Sequence, residues 1–185
     1  MNPAMVTGQR MGGRRRRRAL DRILALACGV GLGLLIHWKV VDSAVVEGSS
    51  MLPTFHPGDR LIIEKVTPRL GVLERGDVVV LRPPDAEDLV VKRVIGLPGE
   101  KLHALGGRVY VDGQPTAEEY TITNSRYWFP PIEIPEGEVF VLGDNRLFSD
   151  DSTMWGPRPI SAVVGKVIGK PLQCLPSPRR VYAQE

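Results

Sequence analysis

Five consecutive arginines, Arg14–Arg18, stand four residues ahead of a fourteen-residue stretch without a polar side chain, Ile23–Ile36. As a helix, fourteen residues rise only about 21 Å, short of a hydrocarbon core roughly 30 Å thick. Widening the window to Ala19–Val41 admits Asp21, Arg22, His37 and Lys39 only near its ends, where long cations can reach the headgroups. Trp38 then sits at the depth of an interfacial aromatic. A cleaved secretory signal has a similar plan, but no small-x-small site follows Ile36, and Asp42-Ser43-Ala44 puts a charge in the way. The pattern therefore predicts an uncleaved anchor over 19–41. Residues 1–22 carry seven Arg against one Asp, while cations are sparse after the span. This asymmetry predicts that 1–18 are cytoplasmic and that everything from residue 42 lies on the far side.

The rest of the chain has a different character. Once residues 1–22 are set aside, the overall charge of +3 becomes net negative, which argues against a nucleic-acid-binding domain. The chain holds 20 Gly and 16 Pro, leaving little room for long helices. Two cysteines cannot build a disulfide framework, and no Cys/His spacing suits zinc. Short Val- and Ile-rich runs bounded by Gly, Pro or Asp predict strands over 40–46, 60–66, 77–81, 89–95, 139–142 and 163–168. Arg108–Asp112 reads as a strand entering a hairpin turn at Asp112-Gly113. The prolines of Tyr127–Pro135 restrict that segment to a surface loop or a sheet edge. The expected fold is mainly β: one N-terminal transmembrane helix followed by a curved, barrel-like antiparallel domain over 42–171, with a tail at 172–185.

Three segments concentrate polar chemistry. In Val46-Glu-Gly-Ser-Ser-Met-Leu-Pro-Thr54 a strand ends at a glycine, two serines follow, and Pro53 forces a turn. That places a hydroxyl beside free backbone N–H groups, as a nucleophilic serine and an oxyanion site require. The same pattern also serves as an ordinary turn. In Leu89-Val-Val-Lys-Arg-Val-Ile-Gly96, Lys92 interrupts an apolar strand. It is either an edge lysine directed at solvent or an inward amine whose pKa falls from about 10.4 toward neutrality on burial. Only a neutral amine can take a proton from a serine. The third segment, Val139–Gly156, runs from a hydrophobic strand into a loop dense in Asp, Asn, Arg and Ser. It lacks the ligand alternation and closing Glu of an EF-hand calcium loop.

Taken together, these segments resemble the bacterial type I signal peptidases, membrane-anchored serine proteases that use a Ser/Lys dyad. Ser50-Met-Leu-Pro-Thr54 is similar to that family's Ser-Met-x-Pro-Thr segment, and Lys92-Arg-Val-Ile-Gly-Leu-Pro-Gly-Glu100 to its general-base segment. Gly143-Asp-Asn-Arg-x-x-Ser-x-Asp151 is similar to its third box. The likeness runs from about residue 40 to 170, in the family's order and behind the expected anchor.

The resemblance implies Ser50 as nucleophile and Lys92 as general base, with Ser149 hydrogen-bonded to the amine. Met51 is expected at the substrate-facing turn, and Arg93, Asp144, Asn145, Arg146 and Asp151 are expected to support the site. Where some members carry an oxyanion-stabilising hydroxyl, this chain has Gly48. Where an Arg commonly pairs with the last Asp of the third box, it has Thr153. Asp151 is accordingly expected to be met by Arg146 or by backbone N–H groups of 152–154. Val46, Val90 and Val91 are nominated as walls of shallow pockets for an extended Ala-x-Ala substrate. Neither metal nor organic cofactor is expected.

The implied partners are preprotein signal peptides, the lipid bilayer of the plasma or inner membrane and the secretion translocon, with no nucleic acid. A Ser/His/Asp hydrolase would need His37, His56 or His103, none of which lies in a distinctive motif. A self-cleaving repressor-type protease would need a DNA-binding domain for which the first forty residues leave no room. A catalytically dead peptide-binding domain and a dedicated pilin-type maturation peptidase complete the alternatives.

Overall fold

The computed structural model describes residues 22–29, 31, 40–169 and 179–183. The chain divides into two compact units, 1–39 and 40–185. In the first, residues 22–29 are helical and expose Ile23, Leu24 and Leu26. Most of the anchor predicted over 19–41, like the segment 1–18 expected in the cytoplasm, lies outside the described residues. Among the described residues, no helix is long and apolar enough to cross a membrane.

The second unit is mainly β. Its strands are β1 (Val41–Gly48), β2 (Arg60–Glu64), β3 (Val78–Leu81), β4 (Val90–Gly96), β5 (Lys101–Leu105), β6 (Arg108–Val111), β7 (Gln114–Pro115), β8 (Phe129–Glu133), β9 (Glu138–Leu142), β10 (Arg158–Pro159), β11 (Val163–Gly169) and β12 (Arg179–Ala183). One short helix, Ser152–Trp155, follows β9. The Val/Ile runs form strands because branched side chains suit a pleated surface packed on a core. The predicted hairpin forms at Asp112-Gly113, where both residues take positive φ (49° and 79°) between β6 and β7. The proline-bearing β8 is an edge strand, where a missing N–H costs no ladder bond.

Eight strands form one sheet in the order β10-β9-β4-β12-β1-β2-β11-β3, and β3 also pairs with β4. Pairing therefore runs from β4 through β12, β1, β2, β11 and β3 back to β4. A separate four-stranded sheet has the order β7-β6-β5-β8.

Two expectations need correction. The first sheet is not purely antiparallel, because β12 runs parallel to both β1 and β4. The stretch expected to be a tail at 172–185 contributes this strand at 179–183. A strand flanked on both sides by sheet can sit far along the chain from its neighbours, and nothing in its own five residues reveals them.

Among the described residues, three buried clusters fill the unit. One gathers Ala44, Val46, Met51, Leu61, Ile63, Val80, Val91 and Val181. A second holds Val79, Leu81, Val90, Val94, Val139 and Val141. The third joins Ile95, Phe140 and Leu142 to Leu102, Val109 and Phe129 of the four-stranded sheet. Every residue of β4 is buried, so Lys92 lies on a central strand and not an exposed edge.

Candidate active site

β1 ends at Gly48, whose φ of 89° lies in the left-handed region that glycine adopts without strain. The chain then turns, with Leu52 N–H donating to Ser49 O (3.0 Å) and Phe55 N–H to Met51 O (2.9 Å). This turn carries Ser50 into the interior, where it is 0% exposed. Two donations from Asn145 hold the turn: its backbone N–H reaches Ser50 O at 2.9 Å and its Nδ2 reaches Ser49 O at 3.3 Å.

Lys92 is also 0% exposed. Its Nζ donates to Ser50 Oγ at 2.8 Å and to Ser149 Oγ at 3.0 Å. Burial pushes its pKa down to about 8, against the opposing pull of Asp151, Asp150 and Asp144. An amine so placed exchanges a proton near neutral pH, and its hydrogen-bond partner is a serine hydroxyl. Ser149 in turn donates to Asp151 Oδ2 at 2.7 Å, which fixes the hydroxyl between carboxylate and amine.

Asp151 caps the short helix Ser152–Trp155, and its oxygens are satisfied from four directions. Besides Ser149, Gly143 N–H donates at 3.0 Å, Thr153 N–H at 3.1 Å and Thr153 Oγ1 at 2.8 Å. Thr153 thus supplies two hydrogen bonds in place of a cation, and one of the expected backbone donors is present. The expected Arg146–Asp151 contact is absent. Arg146 points the other way, with Nε on Gly143 O at 3.0 Å and its two terminal nitrogens on Glu118 at 3.0 and 2.6 Å. A fully buried guanidinium needs a carboxylate of its own, and Asp151 is already saturated.

Asp144 and Arg93 pair in a two-pronged bridge of 2.8 and 2.6 Å. Thr54 Oγ1 adds a bond to Asp144 at 2.5 Å, and the Tyr120 ring lies 3.9 Å from the Arg93 guanidinium carbon. Gly143 leaves no room for a side chain: a Cβ there would approach Ser50 O at 2.7 Å and Ser149 Cβ at 2.6 Å.

Two further placements differ from expectation. Met51 does not line an open turn; it is buried in the first cluster. Val46 and Val91 share that cluster, whereas Val90 belongs to the second. Alternation along β4 puts Val90 and Val91 on opposite faces, so the three valines cannot wall one pocket. Glu118, Tyr120 and Ile122, which brace the 144–146 loop, carried no signal, because Thr116–Ser125 contains no motif. Ile122 sandwiches that loop, accepting from Arg146 N–H at 2.9 Å and donating to Asp144 O at 2.8 Å.

Among the described residues no histidine takes part: His103 stacks on Tyr110 in the smaller sheet, and His56 is exposed. His37 lies outside the described residues. Among the described residues, no three His, Cys, Asp or Glu side chains converge as a metal site.

A serine hydroxyl hydrogen-bonded to a buried amine, on a β scaffold, is the chemistry of a serine hydrolase. The chain belongs to the signal peptidase family, peptidase S26, whose family model matches residues 19–170, and it is a serine endopeptidase. A probable signal peptidase I-1 of Synechocystis sp. is 38% identical over 156 residues, covering 80% of each chain. Signal peptidase I of Bacillus amyloliquefaciens is 38% identical over 138 residues, covering 69% of this chain and 72% of its own. A solved signal peptidase I from Enterococcus faecalis V583 is 29% identical, with a TM-score of 0.44 over 52% of this chain and 97% of that one.

Proposed function

We propose that this chain removes N-terminal signal peptides from exported preproteins, cutting after small residues in Ala-x-Ala, with Ser50 as nucleophile and Lys92 as general base. The observation that carries the reading is the 2.8 Å contact between Lys92 Nζ and Ser50 Oγ, with both groups withdrawn from water. The neutral amine takes the hydroxyl proton as Ser50 Oγ attacks the scissile carbonyl carbon. It then returns that proton to the leaving amine, and a water molecule hydrolyses the acyl-enzyme by the same route in reverse. Ser149, fixed by Asp151, keeps the amine directed at Ser50. The Ser50 N–H is the first oxyanion donor. Arg93, Asp144, Asn145 and Arg146 hold the loops that carry these groups.

The working arrangement has residues 1–18 in the cytoplasm, 19–41 as a single membrane span, and 42–171 as a barrel-like catalytic domain outside the plasma or inner membrane. The ring of strand pairings supports the barrel, and the Arg-rich start supports the orientation. Signal peptides emerging from the translocon would meet the site at the bilayer surface, where anchoring concentrates both partners.

The test is mass spectrometry on a preprotein incubated with the purified chain. A new N-terminus after Ala-x-Ala is expected. Ser50→Ala and Lys92→Arg should each abolish it, since a guanidinium does not release its proton at accessible pH, while Ser49→Ala should keep most of it. An active Ser50→Ala chain would remove the assignment.

A further inference from the structure

Ser50 follows the C-terminal end of β1, and Lys92 stands on β4. A peptide bound as an added strand whose carbonyl carbon meets Ser50 Oγ within reach of the Lys92 amine must run along the interval between those two strands. That interval is filled by the chain itself. β12 runs through it, with Ala44 opposite Arg179 and Gly48 opposite Ala183 on the β1 side, and Tyr182 opposite Val90 on the β4 side. The Tyr182 N–H donates to Leu89 O at 2.8 Å.

The direction is that of a peptide leading up to a scissile bond. β12 advances toward the nucleophile turn in step with β1, and Ala183 stands opposite Gly48, two residues before Ser50. Val181 is fully buried in the cluster that holds Val46, Val91 and Met51. Two of the valines nominated as pocket walls thus share a buried cluster with a side chain from the far end of the same chain.

We propose that residues 179–183 are a tethered strand that occupies the interval between β1 and β4 and that an incoming signal peptide displaces. The proposal rests on the signal-peptidase reading of Ser50 and Lys92. A tethered strand competes at a high effective concentration, so it weakens apparent substrate affinity and leaves the chemical step unchanged.

The test compares the full chain with its Tyr182→Pro variant, both in detergent, on a synthetic preprotein peptide carrying Ala-x-Ala. Proline removes the N–H that reaches Leu89 O without touching the catalytic loop. The expected result is a KM at least about threefold lower with kcat unchanged. An unchanged KM, or a lowered kcat, would make β12 part of the scaffold and overturn the proposal.

A second measurement does not depend on how the variant folds. In full-length Ser50→Ala, hydrogen exchange at residues 181 and 182 should speed up when the same peptide saturates the site. Amides that stay protected with peptide bound, in a chain whose wild type cleaves it, overturn the occupancy and leave the proposed activity standing. Failure of both wild type and Tyr182→Pro to cleave overturns the activity, and the occupancy with it.

Discussion

Lys92 is among the largest fully buried side chains of the described residues, and it lies inside an apolar strand. Its neighbours on β4 exclude water, and this desolvation lowers the amine's pKa to about 8. The proton must leave before the amine can act as a base. Below pH 8, kcat/KM should therefore rise about tenfold per pH unit, then level off above it. Initial rates from pH 6 to 10 would show this, and a flat profile would remove Lys92 from the base role. Asp151 opposes the effect of burial. Asp151→Asn should move the rising limb to lower pH while reducing the plateau, because Ser149 loses its acceptor. That Ser50, Lys92 and Ser149 would meet followed from the resemblance of their three segments to one family, whereas the residues alone left open an ordinary turn at Ser50 and an edge position for Lys92. Thr153 was legible only as a missing cation. Its use as a double hydrogen-bond donor depends on a helix cap that only the folded backbone creates.

The 143–151 loop carries Asp144, Asn145, Arg146, Ser149 and Asp151, but it is not self-supporting. The segment between β7 and β8 braces it through Glu118 on Arg146, Tyr120 on Arg93 and Ile122 on both sides of Asn145. Glu118→Ala would leave a fully buried guanidinium without its carboxylate, a loss of about 3–5 kcal/mol. Urea denaturation should show a lower midpoint, and Glu118→Ala/Arg146→Ala should be less destabilised than the two single effects summed. Additive losses would mean that the pair is not coupled. The Val-rich strands and the Asp112-Gly113 hairpin could be read directly, because branched residues and positive-φ turns are local signals. β5 could not: Lys101 and Leu105 at its ends are exposed, and only Leu102 and Ala104 face the core. β12 could not either, since its partners lie some ninety and more than a hundred residues away.

At the scale of the whole molecule, the ring of pairings and three apolar clusters must hold a charged group that burial disfavours. In the unfolded chain Lys92 titrates at its ordinary value of 10.5, and in the fold at about 8. Between those values the unfolded chain binds more protons, so stability rises with pH across that window, by on the order of 3 kcal/mol in total from this residue. Below pH 8 the penalty is present in full. Lys92→Met, which keeps most of the bulk and discards the charge, should be more stable than wild type at pH 7, and the difference should shrink as pH approaches 10. Thermal or urea midpoints of both chains at matched pH values test this; a constant difference would mean that the amine stays protonated in the fold. Many enzymes gain activity by accepting a less stable active site, so the two properties oppose each other. Here one proton links them with the same sign. Moving from pH 7 to pH 9 should make this molecule both faster and harder to unfold, with a single lysine responsible for both gains.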